Sequence, residues 1–337
     1  MAQKNKIAFF GIHEWEKKYL RQKLKGFKIY FFEEELNEDN AGKASSFSII
    51  SIFAHSKIDK KVIDNLKNAK IIATRTTGFD HIDLIECKKK KIIVCNVPRY
   101  GENTVAEHTF ALILCLTRKI HKAWDRTRHL DFSIEGLRGI DLRGKTLGVV
   151  GTGSIGKHVI RIAKGFEMNV IAYDVFKDLK AAKELGFSYA GFDNLLKNSD
   201  IITLHTPYNE KTHHMINKKN IGKIKKGAIL INTARGALVE TDALVKALDS
   251  KILSGAGLDV LEEECFVQDE TEIISKNFPK ECNMQIILEN HILATKENVI
   301  ITPHNAFNSS EALQRILEIT IENIKGFRKG NVVNRVA

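Results

Sequence analysis

Three ionisable side chains follow predicted β-strands, and their types suit the binding of an anionic ligand and the transfer of a proton. Arg235 follows the run "GAILIN", Glu264 comes shortly after "GAGLDV", and His304 follows "NVIIT". A guanidinium binds a carboxylate through two parallel hydrogen bonds, and an imidazole changes its charge near neutral pH. Each residue alone has a structural alternative, namely a surface ion pair, one acid in the solvated run "EEE", or a core histidine. Because ligands bind at the carboxyl ends of parallel strands, the combination predicts a ligand site.

A glycine-rich turn, "GTGSIG", follows a β-run and precedes a helical pattern. Gly151, Gly153 and Gly156 have the G-x-G-x-x-G spacing, which permits a tight turn, the approach of a pyrophosphate and close packing of helix on strand. The pyrophosphate then lies at the helix N-terminus. Asp174 ends the next strand, where a carboxylate accepts hydrogen bonds from ribose hydroxyls and repels a 2′-phosphate. Since no arginine stands at the positions directly after Asp174, the sequence predicts NAD rather than NADP as the cofactor.

Short β-rich runs alternate with helical patterns, which predicts an α/β fold with parallel sheets. The 337 residues are about twice the usual size of one domain, so two doubly wound domains are expected. One series of strands precedes residue 100, and a larger one follows a long apolar helix predicted at residues 103–128. We expect a Rossmann NAD-binding domain, residues 101–296, inserted into a flavodoxin-like substrate domain made of residues 1–100 and 297–337. The two crossings would form a hinge that closes over cofactor and substrate.

Composition and charge exclude several other classes of protein. The net charge is +11, but the lysines are scattered through predicted helices and turns, so we expect solvated faces and no nucleic-acid partner. No run reaches the ~20 apolar residues of a membrane helix, and the N-terminus lacks the features of a signal peptide. The five cysteines are widely spaced without a C-x-x-C pair, which argues against a zinc site and a disulfide framework. We therefore expect a cytoplasmic protein with reduced thiols, no membrane association and no metal ion.

Residues 9–327 resemble the D-isomer-specific 2-hydroxyacid dehydrogenases. The resemblance rests on six segments in that family's order: "TTGFDHID", "VPRYGENTVAEH", "GKTLGVVGTGSIGK", "LINTARGALV", "GLDVLEEE" and "ITPHNAF". The segment "KIHKAWDRTRHLDFSIEGLRG" and the long stretch at residues 265–297 are most similar to the D-lactate dehydrogenase branch.

The resemblance implies a catalytic triad of Arg235, Glu264 and His304. Reduction of a 2-keto acid needs a cation for the carboxylate, a hydride from the nicotinamide and a proton for the developing alkoxide. Arg235 would clamp the carboxylate, and His304 would be the general acid to the keto oxygen and the base in the reverse direction. Glu264 would hydrogen-bond the imidazole and raise its pKa. Cys265 follows Glu264 where proline is common in the family, and we expect an inert thiol there.

Further positions carry over from the family as cofactor and substrate contacts. Eight would contact the cofactor: Ser154 and Ile155 at the pyrophosphate, Thr206, Pro207 and Thr212 at the adenosine, and Thr233, Ala234 and Asp259 near the nicotinamide. Four would contact the substrate: Thr77 and Gly78 through their backbone amides, and Phe53 and Tyr100 as the lining of a small pocket. Plain aromatic core is the alternative for Phe53 and Tyr100.

The activity that the resemblance implies is reversible hydride transfer between NADH and pyruvate, giving D-lactate. A bulkier 2-hydroxy acid of the isocaproate type is the main alternative, since hydrophobic pockets separate neighbouring substrates by only ~1–3 kcal/mol. NAD-sensing co-repressors share the fold and triad but act as binding proteins, and a phosphoglycerate dehydrogenase is disfavoured because no regulatory domain follows the last helix. The family and the apolar helix near residues 105–120 suggest at least a homodimer.

Overall fold

A computed structural model describes residues 6–263 and 283–337. The chain divides into two compact units, one formed by Met1–Tyr100 with Ser309–Ala337 and the other by Gly101–Asn308. Each unit contains one parallel sheet with helices, as the sequence predicts. No helix in the described ranges combines the length and hydropathy that a membrane crossing requires.

The first unit has a five-stranded sheet in the order β2-β1-β3-β4-β5, with every pair parallel. This 2-1-3-4-5 order is that of flavodoxin-like folds. Its strands are β1 Lys6–Phe9, β2 Lys28–Phe31, β3 Ile49–Ile52, β4 Ile71–Thr74 and β5 Ile93–Cys95. Its helices are α1 Glu14–Lys23, α2 Ala41–Ala44, α3 Lys60–Asn65, α4 Leu84–Lys89 and, at the end of the chain, α12 Ser310–Lys329.

The strands β1, β3, β4 and β5 are buried on both faces, which explains why they are almost entirely apolar, whereas the edge strand β2 is partly exposed. Ile7 and Phe9 of β1 point into a core that also contains residues of α1 and α12. Ala8 and Phe10 point to the opposite core, formed with α2 and α3. The hydroxyl of Ser309 caps α12 by accepting a hydrogen bond from the N–H of Ala312 at 3.2 Å.

The second unit has a seven-stranded parallel sheet in the order β12-β11-β10-β9-β6-β7-β8. Its strands are β6 Thr146–Val150, β7 Asn169–Tyr173, β8 Ser188–Tyr189, β9 Ile201–Leu204, β10 Ala228–Asn232, β11 Leu253–Leu258 and β12 Val299–Ile301. Its helices are α5 Glu102–Thr117, α6 Ile120–Arg128, α7 Ser154–Gly165, α8 Leu179–Leu185, α9 Phe192–Asn198, α10 Thr241–Asp249 and α11 Met284–Thr295, with short 3-10 turns at Ile221–Lys223 and Gly236–Leu238. The strand order reverses beside β6, so the glycine turn that follows β6 lies at the switch point where doubly wound sheets bind dinucleotides.

Two predicted boundaries are wrong. The return to the first unit comes at Ser309 and not at residue 297, because β12 pairs with β11 (Val299 with Ala256) and therefore belongs to the larger sheet. The helix predicted at residues 103–128 is two helices, since Lys119 has φ +52° and interrupts the helical path between α5 and α6.

Candidate active site

The glycine turn between β6 and α7 has the backbone geometry that a dinucleotide needs. Gly151 has φ +94°, and a Cβ there would lie 2.5 Å from the carbonyl oxygen of His205. A Cβ on Gly156 would overlap the carbonyl of Gly151, so α7 packs directly on the turn. Among the described residues nothing lies within 4 Å of the Cβ position of Gly153, and no side chain caps α7. An open backbone beside an uncapped helix N-terminus fits a pyrophosphate.

Asp174 follows β7, and its carboxylate is oriented by the chain itself. Oδ2 accepts hydrogen bonds from the N–H and the hydroxyl of Thr152 at 2.7 and 3.0 Å. Oδ1 accepts from the N–H of Phe176 at 2.9 Å. Each carboxylate oxygen has further lone pairs, so the group can still accept hydrogen bonds from ribose hydroxyls.

Arg235 lies in the loop after β10, and the side chain of Asn232 fixes that loop. Asn232 is 1% exposed; its Nδ2 donates to the carbonyl of Arg235 at 2.8 Å, and its Oδ1 accepts from the N–H of Ala234 at 3.1 Å. The half-buried Arg235 donates from Nη1 to the carbonyl of Ala234 at 2.8 Å. A Cβ on Gly236 would overlap the backbone of Leu261, so the loop lies against the segment that follows β11.

His304 lies in the loop after β12, and Asp259 holds that loop. Asp259 is 1% exposed; Oδ1 accepts from the hydroxyl of Thr302 at 2.5 Å and the N–H of Asn305 at 3.0 Å, and Oδ2 accepts from the N–H of Ala306 at 2.9 Å. The carbonyl of Asp259 accepts from the N–H of His304 at 2.8 Å. His304 has φ +51°, which is uncommon for a residue with a Cβ. Hydrogen bonds therefore maintain an otherwise unfavourable backbone conformation at this histidine.

The Asp259 carboxylate stays ionised although it is buried. Burial alone would raise its pKa, but hydrogen bonds from His108, Thr302, Ala306 and Asn305 outweigh that effect, and the pKa lies below its usual 3.8. Nε2 of His108, on α5, lies 3.1 Å from the hydroxyl of Thr302 and 3.4 Å from Oδ1 of Asp259. The acceptor that organises the His304 loop is therefore a full negative charge at neutral pH.

A continuous hydrogen-bond path connects the Arg235 and His304 loops. Asn232 donates through its side chain to Arg235, Asp259 donates its N–H to the carbonyl of Asn232 at 2.9 Å, and His304 donates its N–H to Asp259. β10, β11 and β12 are adjacent and parallel, so both loops leave the same edge of the sheet. The arrangement places the guanidinium of Arg235, which can bind a carboxylate, at the same edge of the sheet as the imidazole of His304.

Comparison with known proteins relates almost the whole chain to one family. Residues 110–306 match the family model of the D-isomer specific 2-hydroxyacid dehydrogenase, NAD binding domain. The D-lactate dehydrogenase of Escherichia coli is 36% identical over 332 residues, which are 96% of this chain and 97% of that protein. The chain belongs to the D-isomer-specific 2-hydroxyacid dehydrogenases.

Further relatives agree with this assignment. A solved D-lactate dehydrogenase from Aquifex aeolicus, complexed with NAD and lactic acid, is 38% identical with a TM-score of 0.86, and the match covers 98% of both chains. An aromatic 2-oxoacid reductase of Clostridium sporogenes is 38% identical over 314 residues, which are 92% of each protein. The predicted family, the two-sheet α/β fold with a Rossmann domain, and NAD as cofactor are thereby confirmed.

The other predicted cofactor residues of this dehydrogenase lie around the glycine turn or on neighbouring loops. Ser154 is exposed and Ile155 half-buried at the start of α7. Thr206 and Pro207 follow β9, and the hydroxyl of Thr212 donates to the carbonyl of Pro207 at 2.8 Å. Thr233 is 8% exposed and its hydroxyl lies 3.0 Å from that of Thr109, while Ala234 is half-buried. Glu264 and Cys265 lie outside the described residues.

The predicted substrate residues follow strands of the first unit. Thr77 donates from its hydroxyl to the carbonyl of Val97 at 2.8 Å, which fixes the loop after β4. Among the described residues, the N–H groups of Thr77 and Gly78 have no hydrogen-bond acceptor. Phe53 is half-buried after β3, and Tyr100 is half-buried where the unit ends.

Several residues that shape the site were not singled out from the sequence. Asn232 and Glu262 are two of them. Glu262 is 7% exposed, its Oε1 lies 2.5 Å from Nε2 of His214, and its Oε2 accepts a hydrogen bond from the hydroxyl of Thr241 at 2.7 Å. The run "EEE" is therefore not uniformly solvated. Arg75 is 1% exposed and lies over the ring of Phe53 at 5.3 Å. A polar residue at the end of an apolar strand was the available signal for Asn232.

Proposed function

We propose that the protein is an NAD-dependent D-lactate dehydrogenase that reversibly reduces pyruvate. The observation that carries the proposal is the hydrogen-bonded frame of Asn232 and Asp259, which holds Arg235 and His304 at the strand ends on either side of β11. The D-lactate dehydrogenases among the relatives support lactate as the product.

In this proposal Arg235 binds the substrate carboxylate with its planar guanidinium, and a lysine could not reproduce the two parallel hydrogen bonds. NADH, when bound, supplies the hydride to the keto carbon. His304 donates its proton to the keto oxygen, which becomes the hydroxyl of lactate, and takes that proton back in the oxidative direction. Glu264, outside the described residues, would orient the imidazole by a hydrogen bond, as the sequence predicts.

We assign substrate contacts in the first unit to residues at the carboxyl ends of its strands. The N–H groups of Thr77 and Gly78 bind the substrate carboxylate, and the rings of Phe53 and Tyr100 limit the size of the 2-keto side chain. The guanidinium of Arg75 supports the ring of Phe53 from one side and donates to the carbonyl of Phe10 at 2.9 Å. A ring that is held in place in this way would favour the methyl group of pyruvate over a bulkier side chain.

For the cofactor we propose that the uncapped start of α7, at Gly153, Ser154 and Ile155, binds the pyrophosphate and that Asp174 binds the adenosine ribose. Thr206, Pro207 and Thr212 would line the adenosine, and Thr233 and Ala234 the nicotinamide. We also propose Asp259 as a residue near the nicotinamide, although its carboxylate already accepts hydrogen bonds from the His304 loop.

A reductase for a bulkier 2-keto acid is the second candidate. The aromatic 2-oxoacid reductase of Clostridium sporogenes is as similar to this chain as the D-lactate dehydrogenases are. One or two pocket side chains decide between such substrates, because each methylene changes binding by only ~1–3 kcal/mol.

NADH oxidation with pyruvate, 2-ketoisocaproate, phenylpyruvate, hydroxypyruvate and glyoxylate, followed by chiral analysis of the product, distinguishes the candidates. We expect the highest kcat/KM with pyruvate and D-lactate as the product. A preference for phenylpyruvate or 2-ketoisocaproate would support the second candidate. L-lactate as the product would contradict the family's stereochemistry. NADH binding without turnover of any keto acid would indicate a binding protein rather than an enzyme.

Two substitutions test the assigned roles. His304→Gln should abolish turnover while NADH binding persists, whereas His129→Gln, at an exposed position, should leave both unchanged. Arg235→Lys should raise KM for pyruvate by about 10- to 100-fold through the loss of a bidentate ion pair. The control Arg143→Lys changes an exposed pair with Glu167. Loss of NADH binding in His304→Gln would mean that the histidine is structural.

We also propose that two copies of the chain associate through α6 and the loop after it. No residue of α6 is buried, and Trp124, Leu130, Phe132 and Ile134 are 59–85% exposed. Several exposed large apolar side chains this close together in the chain are typical of an interaction site. Light scattering after gel filtration should give twice the chain mass for the wild type, and a lower mass for Trp124→Glu.

The cytoplasm is the proposed compartment. Burial raises the pKa of the Cys87 thiol to about 12 and that of Cys95 to about 11. Such thiols stay protonated and unreactive. Cys87, Cys95 and Cys115 are free cysteines, which is the usual state in a reducing compartment. Fractionation of the native cells with an antibody against this chain would test the compartment.

A further inference from the structure

The carboxylate of Asp174 is the end of a chain of hydrogen bonds that begins at Asp178 and passes through Tyr189. The N–H of Asp178 donates to the hydroxyl of Tyr189 at 3.0 Å. That hydroxyl lies 2.9 Å from the hydroxyl of Thr152, which in turn lies 3.0 Å from Oδ2 of Asp174. The chain therefore connects the ends of β6, β7 and β8.

The chemistry of the two ends fixes the direction of every bond. A backbone N–H can only donate and an ionised carboxylate can only accept. The single proton of the Thr152 hydroxyl goes to Asp174, so the Thr152 oxygen can only accept from Tyr189, and the Tyr189 oxygen in turn accepts from the N–H of Asp178. Each hydroxyl uses its single proton in this arrangement, which gives Asp174 one preferred orientation.

Tyr189 is itself fixed in place. It belongs to β8, where it pairs with Ala172 of β7, and its ring meets the buried ring of Phe187 edge-on at 5.1 Å. Rigid support matters because a hydrogen bond positions its acceptor only as well as its donor is held.

The residue that begins the chain is also anchored. Oδ1 of Asp178 accepts from the N–H of Ala181 at 3.0 Å, and Oδ2 pairs with Nζ of Lys157 at 2.6 Å. The hydrogen bond from Ala181 and the contact with Lys157 lower the pKa of Asp178, so this anchor remains charged. Lys157 lies on α7, and the pair therefore ties the loop after β7 to the helix that begins in the glycine turn.

We propose that Tyr189 is a positioning residue that sets the preference of this dehydrogenase for NAD over NADP. A carboxylate excludes a 2′-phosphate only if it stays where the ribose hydroxyls arrive. Without the Tyr189 hydroxyl, Thr152 can turn its proton elsewhere. Asp174 then keeps the N–H groups of Thr152 and Phe176 but loses its hydroxyl donor, so that Oδ2 is held less firmly toward the ribose. The exposed Lys177, three residues along from Asp174, would then be a cation for the phosphate.

The test is Tyr189→Phe, with Tyr173→Phe as the matched control. The Tyr173 ring packs on Phe192 at 5.2 Å, and no hydrogen bond of its hydroxyl is recorded in the described part of the chain. Dissociation constants for NADH and NADPH are measured by fluorescence without any keto acid, and kcat/KM is measured for both cofactors. We expect Tyr189→Phe to lower the ratio of NADH affinity to NADPH affinity by about five- to tenfold, which corresponds to the loss of one hydrogen bond. Tyr173→Phe should leave this affinity ratio unchanged.

Thr152→Val cuts the same chain one step closer to Asp174. Its effect should be at least as large, and the double variant should equal Thr152→Val rather than the product of both effects. If Tyr189→Phe left the NADH and NADPH affinities unchanged, or weakened both by the same factor, the proposal would be overturned. If one variant folds poorly, the other still tests the chain. Because binding is measured without keto acid, failure of the lactate assignment would not affect this result.

Discussion

Replacing Asp259 by asparagine should loosen the His304 loop and lower both stability and turnover. The carboxylate accepts hydrogen bonds from Thr302 and Asn305 on one oxygen and from Ala306 on the other. Asparagine keeps only one of these oxygens, and its NH₂ group must face an N–H donor. The less costly orientation leaves Ala306, which is 4% exposed, without an acceptor.

The magnitude follows from this count of donors. One lost hydrogen bond to a charged group costs ~1.5–3 kcal/mol. In a unit of this size each kcal/mol shifts the melting temperature by about 2–4 °C, so Asp259→Asn should melt roughly 3–12 °C lower. A displacement of His304 by about 1 Å would reduce kcat/KM by roughly 100-fold.

Differential scanning calorimetry and steady-state kinetics measure the two effects, with Asp242→Asn as control. Within residues 6–263 and 283–337, Asp242 pairs only with the exposed Lys246 on its own helix, so this variant should change little. Because the folded pKa of Asp259 lies below 3.8, its contribution is present above that pH and is lost as the pH falls through the lowered value. The stability difference between wild type and variant should therefore shrink in acid. An unchanged melting temperature with weaker NADH binding would refute the reasoning and place the carboxylate on the cofactor.

Three further predictions test other parts of the second unit. Gly153→Ala should melt like the wild type but bind NADH at least tenfold more weakly in a fluorescence titration, since its Cβ would meet only the cofactor; equal affinity would place the pyrophosphate elsewhere. Gly236→Ala should instead lower the free energy of unfolding by at least ~1 kcal/mol and lose turnover, because its Cβ would overlap the backbone of Leu261; Gly222→Ala, where the space is open, is the control for both. Burial lowers the pKa of His205 to about 3, so unfolding by urea should become easier as the pH falls from 6.5 towards 3, by up to about 1.4 kcal/mol per pH unit; an equally steep dependence in His205→Gln would refute this origin.

The fold class was predictable because each strand of a covered parallel sheet is an apolar run, and such runs are visible without knowledge of their partners. β8 was not predicted, since Ser188–Tyr189 is a two-residue strand with no pattern of its own. The break at Lys119 is a single left-handed residue with no glycine or proline to announce it. The second crossing was placed too early because only pairing with β11 assigns β12 to the larger sheet.

Arg235 and His304 could be selected from the sequence because each follows an apolar run, but their common frame depends on register. Asn232 of β10 is level with Leu258 of β11, and Leu258 is level with Ile301 of β12. The residues that follow these three positions therefore leave the sheet side by side, which brings the Asp259 backbone between the two loops. A shift of one residue in β11 would turn its side chains to the opposite faces and remove the Asp259 carboxylate from the His304 loop. No property of Asp259 in the sequence reveals this, because the acceptor is specified by the pairing of three strands and not by its neighbours in the chain.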